Sequence, residues 1–187
     1  PALGMVAKIP TLQGETTTAT ATTFGYNPQL AKWSPFHGAF YAVVDSVTKM
    51  VALGGDYSKI RLTFQEYFER LGDEPQRWGK PFSALLGALT VQRELGIAAI
   101  GGKDSMSGTF NDLHVPPTLV SFAVGILDTK YVVSQELKEV GSQIVLVPVG
   151  RDGEELIDFA HLTKNFRKVH ELIKEGKVLA SHNVGLG

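Results

Sequence analysis

The chain has 187 residues, of which 43% are hydrophobic and 20% charged, with a formal net charge of −1. That size and apolar share fit one globular domain, or one domain and a piece of another. Acids and bases are interspersed rather than blocked, which argues against a dedicated nucleic-acid or anionic-membrane surface. The absence of cysteine excludes disulfides, thiolate catalysis and cysteine-ligated zinc. No apolar run reaches the ~20 residues of a membrane-spanning helix, and no leader resembles a signal peptide, so the cytoplasm is the expected compartment.

In chain order, "ETTTATATT" places Thr16, Thr18, Thr20 and Thr22 on one face and Ala19 and Ala21 on the other. That is the period-two pattern of a strand built from β-branched residues. "GYNP" at residues 25–28 reads as a turn. Ser34-Pro35 reads as an N-cap followed by proline in the first helical turn. Phe36, Phe40, Val43, Val44, Val47, Met50 and Val51 then recur at helical spacing, and Gly54-Gly55 ends the helix. Within it, Asp45 and Lys49 stand one turn apart, a spacing typical of a solvated ion pair.

"KIRLTF" alternates Ile60, Leu62 and Phe64 as a second strand, and "GDEPQRWGKP" reads as a loop carrying Trp78. From Pro81, "PFSALLGALTVQRELG" predicts a helix with Phe82, Leu85, Leu86, Leu89 and Leu95 as its apolar face. A short buried strand, "IAAI", follows. "PTLVSFAVGIL" is apolar on both faces, as a central strand would be. The pattern turns polar around residues 128–141, and a domain boundary is expected there, giving 1–138 and 139–187. "QIVLVPVG" reads as a new strand, followed by a helix over 163–174 and a short "VLA" strand. The second piece is too small to bury a core alone. The glycine-rich "SHNVGLG" is a connecting-loop sequence, so the chain is expected to be part of a longer protein.

The segment "IAAIGGKDSMSGTF" is the candidate for a ligand-facing loop. A phosphate-binding P-loop would need glycine at Ile97 and a hydroxyl at Asp104, so that motif fails at both ends. A Gly101-Gly102 turn offering an anion nest remains open, with Lys103 as a point charge and Asp104, Ser105 and Ser107 as polar contacts. An ordinary solvated turn stands beside it as the alternative. His182 and Asn183 can meet a phosphate or metal; His37, His114, His161 and His170 show no metal-ligand spacing.

"GGDYSKIRLTFQEYFERL", a helix, and then "GGKDSMS" together resemble the second synthetase half of phosphoribosylformylglycinamidine synthase, across essentially the whole chain. The resemblance implies an α/β (α+β) fold of the aminoimidazole ribonucleotide synthetase-like amino-terminal type. Its mixed sheet is covered by helices on one face and forms a barrel on pairing. It also implies an ATP-dependent ligase that makes formylglycinamidine ribonucleotide, with ATP/ADP and magnesium as ligands. The implied partners are the other synthetase half and a glutaminase, with no nucleic acid or membrane.

Gly101, Gly102, Lys103, Asp104, Ser105, Ser107 and His182 would face substrate or nucleotide, and Asp45 and Asn183 would stand at metal positions. The family has glutamate and asparagine where this chain has Asp45 and Lys49. In its "HDxSDGG" loop it has aspartate and serine where this chain has Asn183 and Gly185. An altered or lost nucleotide site is therefore implied, and a non-catalytic scaffold is the alternative. The thiamine-phosphate and selenophosphate kinase branch of the fold is disfavoured by "GGKDSMS". A homodimer through the uncovered sheet face is expected of the isolated chain.

Overall fold

The computed structural model describes residues 2–185. Five strands form one mixed sheet in the order β1-β2-β7-β3-β4: β1 (Gly4–Lys8), β2 (Thr18–Gly25), β7 (Thr118–Asp128), β3 (Arg61–Tyr67) and β4 (Ala99–Ser105). β1 and β2 pair antiparallel and β3 and β4 parallel. A hairpin of β5 (Thr109–Phe110) and β6 (Leu113–His114) precedes β7. The helices are α1 (Pro28–Trp33), α2 (Pro35–Ala52), α3 (Pro75–Leu95) and α4 (Phe159–Lys174). Among the described residues, no helix is long and apolar enough to cross a membrane.

The chain divides into two compact units. One comprises Pro1–Thr23, Thr48–Ile60 and Val124–Gly187, and the other Phe24–Val47 and Arg61–Ala123. In the first, β1 lies on β2 with Val6 opposite Ala21, and Leu3, Ala52 and Leu53 form a small core. α4 starts four residues earlier than the apolar pattern suggests, because Asp158 caps it by accepting from the His161 amide at 3.0 Å. Its Leu162, Phe166 and Ile173 form the buried stripe, with Phe166 against the Tyr57 ring at 5.5 Å. The 143–150 run, expected as a strand, is irregular and exposed at Ile144, Val145 and Leu146. A strand needs a neighbour to satisfy its backbone, and among the described residues none pairs with this segment. The "VLA" run is likewise irregular.

β2's alternation buries Ala19, Ala21, Thr23 and Gly25 on the same side of the strand. "GYNP" does more than turn: Asn27 caps α1 through bonds from the amides of Gln29 and Leu30, with Pro28 in the first turn. Ser34 repeats that device for α2, accepting from the His37 amide at 3.3 Å. α2 buries Phe40, Val43, Val47 and Met50 completely, each worth about 1.5–3 kcal/mol.

α3 departs from expectation in two ways. It begins at Pro75, so most of the expected loop around Trp78 is helix and Pro81 lies inside it. It also buries its small residues, Ala84, Gly87, Ala88 and Val91 with Leu95, while Phe82, Leu85, Leu86 and Leu89 are exposed. The cause is a close helix approach: a Cβ on Gly87 would stand 2.1 Å from the Phe36 carbonyl oxygen. Large side chains cannot fit that contact, so they take the opposite face.

Candidate functional site

β3, α3 and β4 form a strand–helix–strand unit with parallel strands, whose carboxyl ends are where open α/β sheets commonly place ligands. The sequence alternation Leu62, Phe64, Glu66 sets one face of β3, and Thr63, Gln65, Tyr67 the other. β4 continues through Ser105 rather than stopping at Ile100. Its register pairs Phe64 with Gly102, Gln65 with Lys103, Glu66 with Asp104 and Tyr67 with Ser105, after an irregularity at Leu62/Thr63.

This extension changes the reading of residues 101–107. Gly101 and Gly102 do not have positive φ, so they are extended strand residues and form no anion nest. Gly102 serves close approach, since a Cβ there would meet the Phe64 carbonyl oxygen at 2.6 Å, whereas a Cβ on Gly101 would meet nothing. Strand alternation also places Lys103 and Asp104 on opposite faces. Residues 101–104 are exposed and Ser105 is half-buried.

Two chemically distinct faces result. On one, Lys103 lies 5.6 Å from the centre of the Tyr67 ring, and Gln65 Nε2 donates to the Tyr67 hydroxyl at 2.7 Å. Ser105 is on that face too, with its hydroxyl 3.3 Å from that of Ser107. A cation, an amide and hydroxyls on one surface suit an anion such as phosphate.

The other face carries Asp104 beside Glu66. Glu66 is 1% exposed, and neither carboxyl oxygen has a hydrogen-bond partner. Burial, and secondarily the Asp104 charge, push its pKa up to about 7.

Beyond the strand end, Glu69 has the opposite setting. It is 6% exposed, but Lys80 Nζ donates to its Oε1. Arg77 Nε and His114 Nδ1 lie 3.8 and 3.7 Å from its Oε2. The Lys80 bond, helped by the surrounding positive charge, holds its pKa below the usual glutamate range against the pull of burial. Thr109 Oγ1 accepts from the Arg70 amide at 2.9 Å and lies 3.0 Å from His114 Nδ1. Glu69 thereby links the end of β3 to α3 and the hairpin. Gly108 closes the corner, donating its amide to the Phe68 carbonyl at 2.9 Å.

Both glutamates lie in "FQEYFERL", and neither is among the residues expected to form the site. The signal for Glu66 was present, because it continues the apolar alternation of Leu62 and Phe64 with a carboxylate.

Asp45 and Lys49 are half-buried on α2, His182 is exposed, and Asn183 is buried at 8% exposure in the irregular carboxy-terminal segment. Gly185 is exposed. Among the described residues, no three or more His, Asp or Glu side chains gather as a metal site. Magnesium prefers several oxygen ligands, and Lys49 offers none.

The fold defines the class: a mixed-sheet α+β domain. No family model matches the sequence, and no curated protein does. Among solved structures, phosphoribosylformylglycinamidine synthase II from Thermotoga maritima superposes with a TM-score of 0.68 at 16% identity, over 92% of this chain and 26% of that one. The T. maritima PurL complex with ATP gives 0.68 at 18% identity, over 94% and 27%. The complex with FGAR gives 0.68 at 18%, over 92% and 26%. A PurLQS structure from T. maritima gives 0.65 at 17%, also over 92% and 26%. At these identities the likeness is one of fold, and the chain spans about a quarter of the length of the chains it matches.

Proposed function

We propose that this chain is a synthetase domain of phosphoribosylformylglycinamidine synthase, with 1–138 as the amino-terminal-type domain and 139–187 as the opening of the next. The observation that carries the reading is "GGKDSMS" on a parallel strand's carboxyl end, within a fold shared with PurL over 92% of the chain. The full reaction joins ammonia from glutamine to formylglycinamide ribonucleotide. ATP phosphorylates the amide oxygen, and ammonia then displaces phosphate to leave the amidine. Catalysis of this sort rests on positioning and charge neutralisation. Lys103, Ser105 and Ser107 supply a cation and hydroxyls for a phosphate-bearing ligand. The other synthetase half, together with a glutaminase, completes the enzyme in the cytoplasm, and the uncovered sheet face receives that half.

Asp45 and Asn183 stand where the resembling family has metal ligands, but Lys49 supplies a positive charge in place of a ligand. The donor set is therefore a reduced one, and this domain contributes scaffold more than phosphoryl transfer. Calorimetry with ADP and magnesium tests the reading. The double substitution Lys49→Asn, Asn183→Asp is expected to raise affinity at least several-fold over the unsubstituted chain. The unaltered chain alone is expected to show no amidine formation from substrate, ATP and ammonia. An unchanged affinity in the double variant would remove the correspondence and leave the second reading, a non-catalytic scaffold, which the Lys49 cation at a ligand position favours.

A further inference from the structure

The exposed face of α3 is built like an interface. At 100° per residue, Trp78, Phe82, Leu85, Leu86, Leu89 and Arg93 fall on one stripe, opposite the buried Ala84, Gly87, Ala88 and Val91. Trp78 is 58% exposed, Phe82 65%, and the three leucines 42–48%. The flanking Gly79, Ser83 and Thr90 are uncharged. Arg77 and Lys80 turn instead toward Glu69, which leaves the stripe free of their charge. The Trp78 indole is fixed by donating Nε1–H to the Gly72 carbonyl at 2.9 Å.

From these features we infer that α3 binds the α3 of a second copy of this chain, antiparallel about a twofold axis. The stripe is its own complement. Its positions are symmetric about the Leu85–Leu86 midpoint: Phe82 mirrors Leu89, Leu85 mirrors Leu86, and Trp78 mirrors Arg93. A twofold pairing requires that residue i meet j while j meets i, and this order satisfies it. Phe82 packs on the partner's Leu89 at both ends of a leucine centre. The exposed Arg93 guanidinium covers the partner's Trp78 ring as a cation–π contact.

The size is also adequate. The five apolar side chains leave on the order of 500 Å² per copy uncovered, so a pair buries about 1,000 Å², the lower bound of a specific interface. The stripe runs ~22 Å along the helix at 1.5 Å per residue. This inference is independent of the purine reading and uses a surface other than the sheet face.

Because the chain lacks cysteine, single-cysteine cross-linking gives a clean test. Under mild oxidation at tens of micromolar, Leu86→Cys is expected to form a covalent dimer, and Ile126→Cys, on the sheet, is not. Sedimentation of the unaltered chain is expected to show a monomer–dimer equilibrium with a midpoint within about 1–100 µM. Leu85→Glu should shift it to monomer, with its circular dichroism and melting curve showing that the fold is kept. A monomer at 100 µM, or cross-linking only through position 126, overturns the proposal. If Leu85→Glu fails to fold, the Leu86→Cys and Ile126→Cys pair still decides.

Discussion

Glu66, in β3, and Glu69, just past its end, are both largely buried and have opposite electrostatic settings. Glu69 is surrounded by Lys80, Arg77 and His114, so its charge is stabilised where it sits. Glu66 has no hydrogen-bond partner, and the acid nearest to it in register, Asp104, makes ionisation harder. The difference separates a structural carboxylate from one whose setting lowers stability when it ionises. Buried charges are costly unless paired, and sites that bind or react are where such costs are tolerated.

Removing the paired carboxylate should have the largest effect. Glu69→Ala is expected to lose about 2 kcal/mol at pH 7 by urea denaturation, because it uncouples β3 from α3 and the hairpin. The pH dependence has a defined sign. A depressed pKa contributes stability above the unfolded value of about 4.3, which is lost as pH falls through the folded value. Glu69→Ala should therefore flatten the acid limb of the stability curve. An unchanged limb would show that the cluster is solvated.

Glu66→Gln should act in the other direction. With a folded pKa of about 7 and an unfolded one near 4.3, the native state holds the extra proton between them. Stability then falls as pH rises across that window. The substitution is expected to stabilise the chain by about 1–2 kcal/mol at pH 8, after allowance for solvent screening, and by less than about 0.5 kcal/mol at pH 4. Equal effects at both pH values would mean that Glu66 does not titrate there.

Smaller effects distinguish the two causes at Glu66. Asp104→Asn removes the neighbouring charge but not the burial, so stability at pH 8 should rise by less than about 1 kcal/mol. A carboxyl pKa followed by NMR should remain above the usual range. A return to an ordinary glutamate value would make Asp104 the main cause instead. Lys103→Ala, on the opposite face, should leave stability within about 0.5 kcal/mol and the Glu66 titration unmoved. A shifted Glu66 titration would show that the two faces are coupled.

Much of the local structure was legible in the sequence. Ser34-Pro35 started α2, the Thr/Ala alternation made β2, and "KIRLTF" made β3, because capping bonds and period-two patterning act between near neighbours. The Asn27-Pro28 cap of α1 carries the same signal as Ser34-Pro35, although the Gly25–Pro28 run has the composition of a turn. Residues 101–105 held glycine and charge, composition typical of loops, yet they are strand because β3 offers a parallel partner. A one-residue alternation then decides that Lys103 and Asp104 serve different faces.

The sequence by itself determined where the apolar stripes lie and which residues cap helices. Only the tertiary structure decided which stripe of α3 is buried. Periodicity reports that two faces differ, but close packing at Gly87 against Phe36 selects the small one. It also decided that Glu69 is paired and Glu66 is not. The partners Lys80, Arg77, His114 and Asp104 come from other elements, and an ionisation equilibrium depends on what stands within a few ångströms in space.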